Sequence, residues 1–172
     1  QDPLEQAGTY PLPEAQLDRF LLHIRVDYPA EAEERAILQQ TTGASSAEVP
    51  RVMHGEAVRE LQKLVREVHM SDDVLSWINQ LVRASRPHEK ISKDIENWVK
   101  WGAGPRAGQA LVLASKARAL IQGRFAATKD DVQALAAPVL RHRLLLTFVA
   151  EAEQISADDV VAALLKIVPF PG

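Results

Sequence analysis

The sequence predicts a mainly α-helical fold preceded by one isolated β-strand, and three observations carry that prediction. Of the 172 residues, 47% are hydrophobic but only 5% aromatic. The core must therefore come from Leu, Val, Ala and Ile, a palette that favours helices over sheets. Three helix starts repeat one chemistry. Ser71-Asp72-Asp73, Thr128-Lys129-Asp130-Asp131 and Ser156-Ala157-Asp158-Asp159 each set a hydroxyl ahead of an acidic first turn. One run alternates with the period of a strand: Leu22, Ile24 and Val26 interleave with His23, Arg25 and Asp27, and Pro29 ends it.

In chain order, a short helix opens at Pro13 and Glu14 and ends near Arg19. The strand follows at Leu21 to Asp27. A solitary strand leaves its backbone groups unpaired, so it is expected either unpaired or paired with another copy of the chain. Together with the abrupt start at Gln1-Asp2-Pro3, it suggests a sheet whose other strands lie upstream. Glu31 to Gln40 reads as a charged, exposed helix, and Thr41 to Ser46 as a polar loop. Val58, Leu61, Leu64, Val65 and Val68 form an apolar stripe within a helix from Glu56 to His69.

After Ser71, the residues Val74, Leu75, Ile78, Leu81 and Val82 share one helix face, and Arg86 to Lys93 reads as a loop. Ala107, Ala110, Leu111, Ala114, Ala117, Leu120 and Ile121 mark another helix, ending near Gly123, whose small residues permit close packing. The helix after Thr128 carries Val132, Leu135 and Ala136 and should stop or kink near Pro138. The last helix carries Val160, Val161, Leu164, Leu165 and Val168. The paired aspartates at the three starts are read as caps and dipole partners rather than metal ligands.

Composition removes several function classes. A net charge of −3 and a pI near 6.0 give no electrostatic case for nucleic acid or anionic membranes. There is no cysteine, hence no disulfide or thiolate metal site, and the five histidines form no close pair of the kind zinc needs. No apolar run approaches the length of a membrane span, and the start lacks a basic region followed by an apolar one. The expected setting is cytoplasmic. Arg141, His142 and Arg143 form a small basic group, but in a leucine-rich run they read as flanking a core helix rather than as a nucleic-acid site.

Gly102-Ala103-Gly104-Pro105-Arg106-Ala107 is the stretch with chemistry. Gly104 reads as an N-cap and Pro105 as the first helical residue. Arg106 then lies at the positive end of the helix dipole, where a cation is disfavoured by roughly 0.3–1 kcal/mol. The same geometry suits an anion, because free N–H groups, dipole and guanidinium converge on one spot.

The opening Gln1-Asp2-Pro3-Leu4-Glu5-Gln6-Ala7-Gly8-Thr9-Tyr10-Pro11-Leu12-Pro13-Glu14-Ala15-Gln16-Leu17-Asp18-Arg19-Phe20 closely resembles the MoxR family of AAA+ ATPases. The resemblance continues through Trp98-Val99-Lys100-Trp101-Gly102-Ala103-Gly104-Pro105-Arg106-Ala107 and Pro138-Val139-Leu140-Arg141-His142-Arg143-Leu144. It implies the C-terminal part of such a protein: residues 1–29 as the end of the nucleotide-binding α/β core, and 30–172 as a helical AAA+ lid bundle. It implies that Arg19 is an arginine finger acting on the neighbouring subunit's nucleotide, and that Arg106, with Gly104 and Pro105, is the sensor 2 contact to phosphates of its own subunit. Asp2 falls at the sensor 1 position, where the family usually has asparagine, and its charge would repel a γ-phosphate.

The resemblance further implies ATP and Mg²⁺ in the full-length protein and a homo-oligomeric ring, six-membered in the expected form. It also implies chaperone-type remodelling of client proteins, often ones with a von Willebrand factor A domain. No G-x-x-x-x-G-K-[ST] sequence and no apolar strand ending in Asp-Glu occur. The chain alone is therefore not expected to hydrolyse ATP or to bind nucleotide tightly. The alternative reading is a stand-alone helical interaction module without a nucleotide role, which would need neither Arg19 nor Arg106.

Overall fold

The computed structural model describes residues 12–43 and 49–171, and the mainly helical class is what it contains. In chain order the elements are α1 (Glu14–Leu17), α2 (Glu31–Thr41), α3 (Gly55–Glu67), β1 (His69–Met70) and α4 (Asp72–Ala84). They continue with a 3₁₀ turn (Pro87–Glu89), α5 (Lys93–Trp98), β2 (Val99–Trp101), α6 (Pro105–Ile121), β3 (Ala126–Ala127), α7 (Lys129–Leu140), β4 (Leu145–Leu146), α8 (Phe148–Ala152) and α9 (Ala157–Ile167). The chain divides into two compact units, one of residues up to His23 and from Leu64 onward, the other Ile24–Lys63.

The first unit holds the core. Helices α4, α6, α7 and α9 pack together, and Trp77, Ile78, Leu81, Leu111, Val132, Val139, Leu140, Val160 and Leu164 are buried among them. Alanines at 107, 110 and 114 line the buried side of α6, so the neighbouring helices approach closely. Trp77 donates its indole N–H to the Val168 carbonyl at 2.7 Å and meets Phe170 edge-on, which fastens the end of α9 to α4. The Ser71 and Ser156 hydroxyls accept the N–H groups of Val74 and Asp159, as their caps predict. At α7 the roles differ: the Asp131 carboxylate accepts both the N–H and the hydroxyl of Thr128.

Two expectations need correction. Leu21 to Asp27 forms no strand, because its first part is claimed by α7: the His23 N–H donates to the Pro138 carbonyl at 2.8 Å. The strands lie elsewhere, in two short ladders. β1 pairs parallel with β3, and β2 pairs antiparallel with β4 through an irregular register. Helix α7 runs through Pro138 and ends two residues beyond it, at Leu140, so it stops near the proline as expected. The Arg86 to Lys93 loop contains the 3₁₀ turn. Helices α5 and α8, too short for a periodic signal, pack on each other.

In the second unit, α2 buries no residue, as its charged sequence predicts, and the Glu33 carboxylate caps it by accepting the Ala30 N–H at 3.0 Å. The part of the α3 stripe that lies in this unit is left open, with Val58 and Leu61 exposed.

Candidate functional site

The Gly102–Arg106 stretch is shaped by a backbone contact. A side chain at Gly102 would place its Cβ 2.4 Å from the Ser85 carbonyl oxygen and 2.7 Å from the Arg86 Cα. Only glycine lets the loop lie flat against the end of α4. The buried Ser85 hydroxyl accepts the Ala103 N–H at 2.9 Å and donates to the Val82 carbonyl, while Arg86 Nε donates to the Ala103 carbonyl at 3.1 Å. The loop therefore leaves β2 held against the end of α4 and delivers Gly104 as the N-cap of α6, with Pro105 at its first position. Gly104 brings no side-chain cap, and Arg106 follows in the first turn with its side chain 56% exposed.

Arg19 sits just past α1. Its N–H closes the turn on the Gln16 carbonyl, and its side chain is exposed with no ion-pair partner among the described residues. The adjacent Asp18 has the opposite fate. Its carboxylate lies 3.0 Å from Arg143 Nε and 3.4 Å from Arg106 Nη1. One carboxylate thus joins the candidate anion site to the turn that carries Arg19.

Arg143 is the residue sequence reasoning missed. Its side chain is 3% exposed, and its guanidinium donates to the Asp18 carboxylate and to the carbonyls of Asp18, Phe20, Leu21 and Val139. Burial pushes this guanidinium's pKa down, and the bond to Asp18 pushes it back up without fully offsetting burial. The neighbours serve the same segment. Arg141 bonds Asp158 at 2.9 Å and the His23 carbonyl at 3.1 Å, and His142 Nε2 lies 3.1 Å from the Phe20 carbonyl. All three side chains of the basic run face residues 18–23 or the core rather than a polyanion. The spacing of a basic residue after a helix end was visible in the sequence, but the carbonyls it would bind were not.

Asp2 lies outside the described residues. An open groove of about 870 Å³ runs between α4 and α6, lined by Ile78, Val82, Gly108 and Val112 with Arg86 and Pro105 at one end. The described residues fit a phosphate at the start of α6, where a cation and an uncapped helix N-terminus coincide. Among them no group of three His, Asp or Glu could hold a metal ion. No helix among them is long and apolar enough to cross a membrane.

Residues 91–164 match the AAA lid domain family. The chain is 36% identical to Chaperone MoxR1 of Mycobacterium tuberculosis over 172 residues, covering 99% of this chain and 45% of that protein. It is 34% identical to Protein MoxR of Paracoccus denitrificans over 161 residues, covering 84% of this chain and 46% of that protein. A crystal structure of an ATPase candidate from Cytophaga hutchinsonii superposes with a TM-score of 0.92 at 30% identity, over 100% of this chain and 53% of that one. The chain spans about half the length of the curated relatives it matches, aligning with their C-terminal part. With a helical lid bundle, the GAGPR helix start and these relatives in agreement, the chain matches the C-terminal part of the MoxR family of AAA+ ATPases and carries an AAA lid domain.

Proposed function

We propose that this chain supplies the lid and two arginine contacts of an ATP-driven, ring-forming chaperone. In this reading residues 1–29 end the nucleotide-binding core and 30–172 form the lid. Arg106 binds phosphates in its own subunit from the first turn of α6. Arg19 reaches the γ-phosphoryl group in the neighbouring subunit, where a cation stabilises the charge of the transition state. The bound Mg²⁺ would neutralise phosphate charge, with ligands from outside the described residues. Asp2 would occupy the sensor 1 position. The clients would be proteins remodelled by the ring, including ones with a von Willebrand factor A domain, and the setting cytoplasmic.

The observation that carries this reading is the contrast between two neighbours. Asp18 is turned onto Arg143 and Arg106, while Arg19 is left in solvent with no partner among the described residues. An exposed arginine on a rigidly held turn is what a contact to another subunit requires. Arg106 is held by one long ion pair and stays accessible, as an anion contact requires.

The test is a pair of substitutions in the full-length protein, read separately as ATP affinity and turnover. Arg106→Ala weakens ATP binding. Arg19→Ala leaves binding intact and lowers kcat by about 10³–10⁵. A pair of variants with native affinity and turnover would reject the reading in favour of an interaction module without nucleotide.

A further inference from the structure

We infer that Arg143 is the positioning residue for Arg19, and that it acts by clamping the turn from Asp18 to Leu21. The inference rests on the finger reading of Arg19 given above. Arg143 Nη2 donates to the Asp18 carbonyl at 3.0 Å and to the Phe20 carbonyl at 2.6 Å. These are the carbonyls on either side of Arg19. The first lies in the peptide plane that enters Arg19 and the second in the plane between Phe20 and Leu21, so one nitrogen restrains the φ and ψ of residues 19 and 20 together. Nε fixes the Asp18 carboxylate, and Nη1 reaches the Leu21 and Val139 carbonyls, so the clamp is anchored to α7.

Arginine chemistry is specific here. A buried cation is tolerated only when its donors are matched, and a planar fork can serve several carbonyls and a carboxylate at once, which a lysine ammonium cannot. Filling space beside α7 would need no guanidinium at all. What the five acceptors share, Val139 apart, is that they belong to three residues beside Arg19: Asp18, Phe20 and Leu21. The exposed finger would thus owe its direction to a residue 124 positions later in the chain.

The experiment uses the full-length protein and two variants, Arg143→Lys and Asp18→Asn. Arg143→Lys is expected to bind ATP with native affinity and to turn it over about 10²-fold more slowly, the loss that a displacement of ~1 Å produces. In rings assembled from two variants, Arg143→Lys regains activity with Arg106→Ala, whose finger and clamp are intact. It regains none with Arg19→Ala, since no subunit then carries a finger that is both present and positioned. A general folding defect would not sort with one partner in this way.

Asp18→Asn keeps the carbonyl bonds and removes the ion pairs to Arg143 and Arg106, and it is expected to sort with the same partner. It decides the matter if Arg143→Lys does not assemble. Native kcat in the assembled variant, or recovery of activity with Arg19→Ala, overturns the inference. Rings of Arg19→Ala with Arg106→Ala serve as the reference. If these recover while Arg143→Lys with Arg106→Ala does not, the clamp is rejected and the finger reading stands. If the reference itself fails, the finger reading falls.

Discussion

Arg143 grips Asp18 twice, through its carboxylate and through its carbonyl, each at 3.0 Å. The side chain and backbone of residue 18 are thereby fixed by a single buried guanidinium on the far side of the sequence. The contact closes the described start of the chain onto α7 and sets where Arg19 points.

A second buried carboxylate, Asp131, ties the start of α7 to the end of α6. It is fully buried and takes hydrogen bonds from Arg118, Arg124 and Thr128. Burial pushes its pKa up, but the bonds from Arg124, Thr128 and Arg118 together outweigh burial and hold it well below the usual carboxylate range. Wholly buried pairs lose about 3–5 kcal/mol when one partner is removed. Arg118 and Arg124 are a third exposed, and water screens them. Asp131→Ala is therefore expected to destabilise by about 2–3 kcal/mol, measured by urea unfolding at neutral pH. The folded carboxyl holds its proton less tightly than the unfolded one, so this contribution is present above about pH 3.9 and fades as pH falls further. The difference between the native chain and the variant should shrink in acid.

His142 predicts a pH dependence in a milder range. Its Nε2 faces the Phe20 carbonyl, which can only accept, so the neutral ring carries its proton there and leaves a buried Nδ1 without a partner. Burial lowers its pKa most, the Phe20 bond opposes that, and Arg143 and His23 lower it further. Between the unfolded value of about 6.5 and the lower folded value, the unfolded chain binds more protons. Stability therefore rises with pH through this window and is lost as pH falls below about 6.5. His142→Gln should show a smaller drop in urea midpoint than the native chain between about pH 7.5 and about pH 5.5. Equal drops would show that His142 does not carry the effect.

Gly102→Ala should be poorly tolerated despite its small size. The added methyl would meet backbone atoms of Ser85 and Arg86, which cannot rotate away. Overpacking of this kind loses about 1–3 kcal/mol. Because the same loop aims α6, the variant should also weaken ATP binding in the full-length protein, measured by titration beside a thermal melt. Native stability together with native affinity would mean the loop adapts.

Helices α4, α6, α7 and α9 and the hydroxyl starts at Ser71 and Ser156 were legible because their signals are local and periodic. The start of α6 was legible for the same reason, since Gly104-Pro105-Arg106 is a cap and a dipole problem within three residues. The strands were not, because two-residue ladders such as His69–Met70 with Ala126–Ala127 carry no period. The run from Leu22 alternates like a strand, yet His23 and Arg141 bind it to α7, a tertiary partner no local pattern records. Arg143 was hidden in the same way: five acceptors, four of them from residues more than 100 positions earlier, give a side chain its purpose.

The central claim is that Arg19 and Arg106 serve different subunits although Asp18 holds their surroundings together. The most direct measurement is ATP turnover in rings assembled from inactive Arg19→Ala and inactive Arg106→Ala subunits, with mixing confirmed by distinguishable tags. A site formed by the first variant's Arg106 and the second variant's Arg19 has both groups. The account predicts that the mixed rings regain activity while each variant alone stays inactive. Rings shown to be mixed that remain inactive would contradict it, and would place both arginines in the service of one subunit.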